Sequence, residues 1–262
     1  MRFTKMHGLG NDYLYVFGEV PEDIKELSTR LSDRHFGAGS DGMIYISPSK
    51  IADFKMRIFN ADGSEAKMCG NGIRCVGKYL YDKGYTDKKT LRIETLSGIK
   101  LLQLHVRSGK VRTVTVDMGY SEAGNDMKLT IDDEKITCTP VSVGNPHAVI
   151  FVKDIDEAPL TTLGPRLEHH EAFPGGVNVE FIQVLSEDRL RMRVWERGSG
   201  VTMACGTGAC ASVAAAVKKG YCKSQSPITV LLDGGPLEIT VSDDDSVTMN
   251  GPAEFVYEGN AE

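Results

Sequence analysis

Two cysteines stand in near-identical surroundings 136 residues apart, Cys69 in Met68-Cys69-Gly70-Asn71-Gly72 and Cys205 in Ala204-Cys205-Gly206-Thr207-Gly208. Each opens a run with helical spacing. A helix N-terminus carries unpaired, positively polarised backbone N–H groups, so a thiol placed there is stabilised as thiolate and can act as base or nucleophile. The glycines beside each sulfur remove side-chain bulk, which lets a carboxylate approach the same N–H groups. If the two segments flank a bound molecule, one thiol can take a proton from an α-carbon while the other delivers a proton to the opposite face. Inversion of a stereocentre needs that pairing. Charge developing on the α-carboxylate would meet the N–H groups of two helix starts, so the chemistry requires no pyridoxal-type cofactor.

A lone cysteine at a helix start is as readily a small buried residue. Its repetition in one register is what points to chemistry. Cys69 and Cys75, or Cys205 and Cys210, lack the spacing of a structural zinc site and no histidine follows at ligand distance, so no metal is expected. Cys75, Cys138, Cys210 and Cys222 read as buried thiols, and His7, His35, His105, His169 and His170 as locally satisfied side chains. His147 differs because it follows Gly144-Asn145-Pro146, the counterpart of Gly10-Asn11-Asp12. Glu196-Arg197 lies where the first half has Asn60-Ala61, nine residues before the cysteine. His147 and Glu196 are therefore candidates for setting which sulfur is deprotonated, or ordinary loop residues. Asn11, Asn60, Asn145 and Asn178 are turn formers or polar ligands, and Arg197 offers a fork for a second carboxylate.

The elements that would position these residues come from a duplication. Lys55-Met56-Arg57-Ile58-Phe59-Asn60 matches Arg191-Met192-Arg193-Val194-Trp195-Glu196, and the same 136-residue shift carries Gly84 onto Gly220 and Leu96-Ser97-Gly98 onto Leu232-Asp233-Gly234. Gly39-Ser40-Asp41-Gly42-Met43 falls on Gly175-Gly176-Val177-Asn178-Val179 at that shift. Each unit reads as a short strand, a glycine-containing loop, the cysteine, then a helix stopped by Gly84 or Gly220. Segments 90–94, 100–106, 111–116, 228–232 and 237–241 are β-rich. The expected fold is α/β (α+β): two pseudo-symmetric domains, each a curved mixed sheet or barrel around a central helix. The expected halves are 1–118, with 253–262 returning to it, and 119–252.

The chain has 262 residues, 41% apolar and 25% charged, the balance of a globular protein with a sizeable core. A net charge of −6 gives no basic surface for nucleic acid or an anionic membrane. No N-terminal apolar h-region and no membrane-spanning run is visible, so a cytoplasmic protein with reduced thiols is expected.

Longer motifs carry a resemblance. Lys5-Met6-His7-Gly8-Leu9-Gly10-Asn11-Asp12, Phe59-Asn60-Ala61-Asp62-Gly63-Ser64, Met68 to Cys75, Gly144-Asn145-Pro146-His147, and Glu196-Arg197-Gly198 with Ala204 to Ala209 resemble the diaminopimelate epimerases over nearly the whole chain. These are cofactor-independent enzymes that interconvert LL- and meso-2,6-diaminopimelate for lysine and peptidoglycan precursors. The resemblance implies Cys69 and Cys205 as the acid–base pair, with His147 and Glu196 tuning them. It further implies that Asn11, Asn60, Asn145, Asn178 and Arg197 line the site, with Asn60, Asn178 and Arg197 gripping the distal end. Gly70-Asn71 and Gly206-Thr207 would bind the reacting carboxylate through their backbone. Some family members have Gln where this chain has Gly42. The resemblance implies a homodimer, with Tyr257 at its interface. Racemases of the same fold acting on proline, hydroxyproline or histidine are the alternative, and a non-enzymatic binding module would have no use for both cysteines together with His147 and Glu196. Cys69→Ala and Cys205→Ala are each expected to abolish epimerisation while leaving the circular dichroism spectrum and melting transition intact; a fully active single variant would contradict the two-thiol chemistry.

Overall fold

The computed structural model describes residues 1–132 and 134–261, so the last residue of the expected C-terminal return, Glu262, lies outside the described residues. The chain divides into two compact units, Met1–Asp117 with Gly251–Glu262, and Met118–Asn250. Both are mixed sheets with two helices each, which confirms the α/β class. The helices are α1 (Ile24–Ser32) and α2 (Gly70–Asp82) in the first unit, α3 (Leu160–Glu168) and α4 (Gly206–Lys218) in the second.

In the first unit, strand Glu254–Asn260 pairs antiparallel with Arg2–Gly8, which pairs antiparallel with Asn11–Phe17. The sheet continues parallel to Gly42–Pro48, antiparallel to Phe54–Asn60, parallel to Thr90–Thr95, and antiparallel through Gly98–Arg107 to the strand that starts at Lys110. Both parallel steps cross over through a helix, α1 or α2, because parallel neighbours cannot be joined by a hairpin. The second unit repeats the plan. Glu134–Ser142, Pro146–Phe151, Asn178–Ser186, Arg189–Glu196, Ile228–Leu232, Gly235–Val241 and Ser246–Pro252 follow with parallel steps through α3 and α4. Helix α4 begins and ends 136 residues after α2.

The two long helices are the centres of their units. Helix α4 has no charge before Lys218, and its alanines Ala209, Ala211, Ala214, Ala215 and Ala216 are buried on every side. A helix apolar all round belongs in a core, and small side chains let the sheet close tightly about it. Helix α2 is buried from Asn71 to Leu80 although it carries Arg74 and Lys78. Their charges are met by acceptors, as buried cations require. Arg74 Nε donates to the Pro252 carbonyl at 3.1 Å, and Lys78 Nζ lies 3.1 Å from Asp82 Oδ2. Strand alternation serves both sheet faces: Tyr15 points inward, donating to the Gly72 carbonyl, while Leu14 and Val16 join Ile24 and Leu31 of α1 in an outer cluster. Leu160, Leu163 and Leu167 of α3 cover Val179 and Phe181 in the same way. The short outer helices α1 and α3 are absent from the sequence reading although Ile24, Leu27 and Leu31, and Leu160, Leu163 and Leu167, keep helical spacing, because each pattern lasts only nine residues and α3 carries Pro165.

Gly42 begins its strand opposite Asn60 with φ +154°, and a Cβ there would sit 2.2 Å from the Phe59 carbonyl oxygen and 2.9 Å from the Asn60 Cα. Both are backbone atoms. No side chain fits at position 42 unless the strand moves. Gly42→Ala should destabilise by about 1–3 kcal/mol, read as a lower urea midpoint; an unchanged midpoint would show that the strand yields freely.

Candidate active site

Cys69 is the N-cap of α2, with extended backbone, and its Sγ accepts from the Gly72 N–H at 3.3 Å. The sulfur, half-buried, lies 3.2 Å from Asn11 Oδ1, to which its thiol form donates. Asn11 is itself oriented, since its Nδ2 donates to Asp41 Oδ2 at 2.7 Å and Asp41 is held by Arg34. Beside them, Asp12 lies against Lys5 and Arg34. Burial would raise its carboxyl, but these two cations outweigh that and hold it below the usual carboxylate value. The buried Tyr13 phenol also faces Cys69; burial, then the charge of the sulfur, pushes it well above its ordinary value, so it stays protonated. Asn60 ends its strand, donating through Nδ2 to Ser64 Oγ at 3.0 Å, and the next residue's N–H reaches the Asp41 carbonyl. Asn11, Asn60 and Cys69 are thus tied to one another through Asp41.

Cys205 caps α4 identically, its Sγ accepting from the Gly208 N–H at 3.3 Å. Here the surroundings differ. Cys205 is buried, and burial first, then the carboxylates of Glu196 and Glu180, push its thiol well above the ordinary range. Burial likewise raises the Glu196 carboxyl, while the Thr202 hydroxyl, which donates to its Oε1, pulls the other way. Thr207 Oγ1 is 3.6 Å from the sulfur and accepts from Asn145 Nδ2 at 3.3 Å. Asn145 Oδ1 is 3.1 Å from His147 Nε2, and His147 Nδ1 is 2.7 Å from Glu180 Oε1. A cavity of about 370 Å³ bordered by Gly144, Asn145, Pro146, His147 and Phe173 opens beside this cluster, within the size of small-molecule pockets.

The structure gathers Cys205, Glu196, Asn145, His147 and Thr207 in the second unit, and Cys69, Asn11 and Asn60 in the first. Gly70, Asn71, Gly206 and Thr207 form first helical turns, where the helix offers no acceptor for its own N–H groups. Asn178 is buried with its amide engaged at both ends, donating to the Pro146 carbonyl at 3.0 Å and accepting from the Arg197 N–H at 3.0 Å. It clamps the loop that carries Glu196 and Arg197. The Arg197 side chain, exposed, donates to the Gly175 carbonyl at 2.9 Å. Tyr257 lies on the first unit's last strand, packed edge-on against Phe3 with its hydroxyl donating to the Ala38 carbonyl at 2.9 Å. Glu180, Tyr13, Asp41 and Thr202 escaped the sequence reading. The one available signal was a single carboxylate inside the apolar run Val177 to Val184. Because Cys69 is the more exposed sulfur and Cys205 is held as thiol, iodoacetamide near pH 8 is expected to label Cys69 first, as read by peptide mass spectrometry; equal or inverted labelling would contradict this electrostatic picture.

A family model described as diaminopimelate epimerase matches residues 3–123 and 139–256. A protein named diaminopimelate epimerase from Acetivibrio thermocellus is 51% identical over 278 residues, covering 100% of this chain and 99% of that one. One of the same name from Bacillus licheniformis is 50% identical over 276 residues, covering 98% and 97%. Among solved structures, a hydroxyproline epimerase from Agrobacterium vitis superposes with a TM-score of 0.74 at 18% identity, over 100% of this chain and 90% of that one. A phenazine biosynthesis protein of the PhzF family from Bacillus anthracis gives 0.79 at 16% identity, over 100% and 99%. At such identities the two structures speak for the fold alone, whereas half-identical, full-length relatives speak for the chain: it belongs to the diaminopimelate epimerase family.

Proposed function

We propose that the protein interconverts LL- and meso-2,6-diaminopimelate by proton transfer between two thiols and one α-carbon, in lysine and peptidoglycan precursor synthesis. As a member of its family it is an epimerase acting on a small molecule. The observation that carries the mechanism is the repeated cap: two 13-residue helices, each begun by a cysteine whose sulfur accepts the N–H three residues on. In the forward step one sulfur, as thiolate, takes the α-proton, and the electron pair of the broken C–H bond is drawn toward the α-carboxylate. The other sulfur, as thiol, gives its proton to the opposite face of the same carbon. The two sulfurs have then exchanged protonation states. Burial and two neighbouring carboxylates favour Cys205 as the thiol of the resting site, leaving Cys69 as the base. His147 and Glu196 tune Cys205.

The first-turn N–H groups of Gly70, Asn71, Gly206 and Thr207 are assigned to the reacting carboxylate, by the logic of anion binding at helix starts. Asn11 and Asn145 are assigned to substrate contact beside the sulfurs, and Asn60, Asn178 and Arg197 to the distal amino-acid end. A homodimer is assigned through the edge strand Glu254–Asn260, whose Phe255, Val256 and Tyr257 are 37%, 51% and 41% exposed. No helix among the described residues is long and apolar enough to cross a membrane. A cytoplasmic setting is proposed because a thiol pair that cycles through thiolate needs reducing conditions. Proton NMR of LL-diaminopimelate in D₂O with the reduced protein tests the proposal. Loss of the α-proton signal with appearance of the meso isomer is expected. No exchange by folded protein with reduced thiols would redirect the search to proline, hydroxyproline and other amino acids.

A further inference from the structure

The two units differ in one telling respect. Leu14 pairs with Met43 in the first, and Ala148 with Val179 in the second. That register makes Asn145 the counterpart of Asn11, His147 of Tyr13, and Glu180 of Ile44. The side chain at this last position plays the same packing part twice. A Cβ added to Gly72 would meet Ile44 Cδ1 at 2.7 Å, and one added to Gly208 would meet Glu180 Oε1 at 2.7 Å. An apolar residue therefore suffices to back a cysteine-capped helix start. Glu180 is nonetheless a carboxylate, 0% exposed, and its Oε2 has no hydrogen-bond partner among the described residues. Burying such a group is costly, so packing alone does not account for it.

What Glu180 does have is His147, whose other nitrogen faces Asn145. With Asn145 giving its amide N–H to Thr207, its Oδ1 can only accept, so His147 Nε2 carries a hydrogen. The 2.7 Å contact between Nδ1 and Oε1 needs one further proton, carried by either atom. Once Cys205 has given up its proton its sulfur can only accept, and donors then run in one direction: His147 Nε2–H to Asn145, Asn145 Nδ2–H to Thr207, and the Thr207 hydroxyl toward Cys205 Sγ. Such chains polarise cooperatively. A hydroxyl aimed at the sulfur stabilises the thiolate left when Cys205 gives up its proton. The groups facing this sulfur are His147 and Glu180 from adjacent strands and Glu196 from the end of a third.

We propose that Glu180 is a positioning residue for epimerisation: by holding His147 with Nε2–H directed at Asn145, it aligns the donor chain that ends on Cys205. This rests on Cys205 being a catalytic thiol. An aliphatic side chain at position 180 leaves Nδ1 without a partner, so nothing holds Nε2–H on Asn145, whereas a Gln whose NH2 donates to Nδ1 keeps Nε2–H in place and preserves the chain. Glu180→Gln and Glu180→Ile are the test, in the whole protein. Glu180→Gln should keep the wild-type melting midpoint, while Glu180→Ile should fold with a lower one because His147 Nδ1 loses its partner. Glu180→Ile should lower kcat about 10- to 100-fold with KM nearly unchanged, and Glu180→Gln should recover most of that loss. Loss of the Glu180 charge by itself would ease ionisation of Cys205, so the chain is read in the net shift: in the Ile variant, labelling of Cys205 by iodoacetamide should require a pH higher by about half a unit or more, while Cys69 in the same sample labels as before. Wild-type kcat in the folded Ile variant, or an equal loss in the Gln variant, would overturn the inference. So would a shift of Cys205 labelling to lower pH, which would mean that the carboxylate acts on the sulfur only as a charge. Failure of the Ile variant to fold would show a structural need that Ile44 does not have, and would also overturn it. Wild-type protein without α-proton exchange would sink the epimerase assignment instead, and the labelling comparison remains readable in that case.

Discussion

Everything in this molecule turns on a sulfur accepting a backbone N–H at the start of a buried helix. A side chain that caps a helix normally offers oxygen. Here it is cysteine, Sγ to N 3.3 Å in both units, and the same polarised N–H groups that satisfy the cap also lower the cost of a thiolate. The geometry needs extended backbone at the cysteine and glycine three residues on. Ile44 and Glu180 press so closely on Gly72 and Gly208 that a Cβ at either glycine would lie 2.7 Å from the side-chain end and force it to shift. The rest of each unit exists to hold that junction still and dry.

The sheet achieves this by curling around α2 or α4, with short outer helices sealing its far face. The two central helices reach burial by different routes. Helix α4 is made of small uncharged residues up to Lys218, whereas α2 buries Arg74 and Lys78 and meets them with carbonyls and Asp82. A duplicated scaffold with divergent side chains leaves the backbone of the site nearly symmetric and its electrostatics asymmetric. Around Cys69 stand Asn11 and a protonated Tyr13; around Cys205 stand Glu196, Glu180 and His147. Asymmetry of this kind lets two identical functional groups start in different protonation states, which a one-base-one-acid exchange requires.

The distal residues show how recognition and architecture overlap. Asn178 spends both ends of its amide on backbone groups, so its first effect is to set the loop bearing Glu196 and Arg197. A side chain rigidified in this way presents its neighbours with little freedom left to lose on binding.

The sequence alone determined the duplication, the cysteine-capped helices and the mixed α/β class and offered Cys69 and Cys205 as candidates, because these are local: spacing, glycine placement and apolar periodicity act over a few residues and are written twice at one shift; His147 and Glu196 it left open, and the family resemblance singled them out. The sequence did not reveal α1 and α3, whose amphipathic patterns last only nine residues each, with Pro165 inside α3. Nor did it reveal Glu180, Asp41 or Tyr13 as partners of the site. Those residues matter through contacts made across strands, 33 residues apart for Glu180 and His147 and 30 for Asn11 and Asp41. Which carboxylate is buried against which sulfur is a property of strand register and sheet curvature, long-range quantities that no local pattern encodes, and only the tertiary structure decided them.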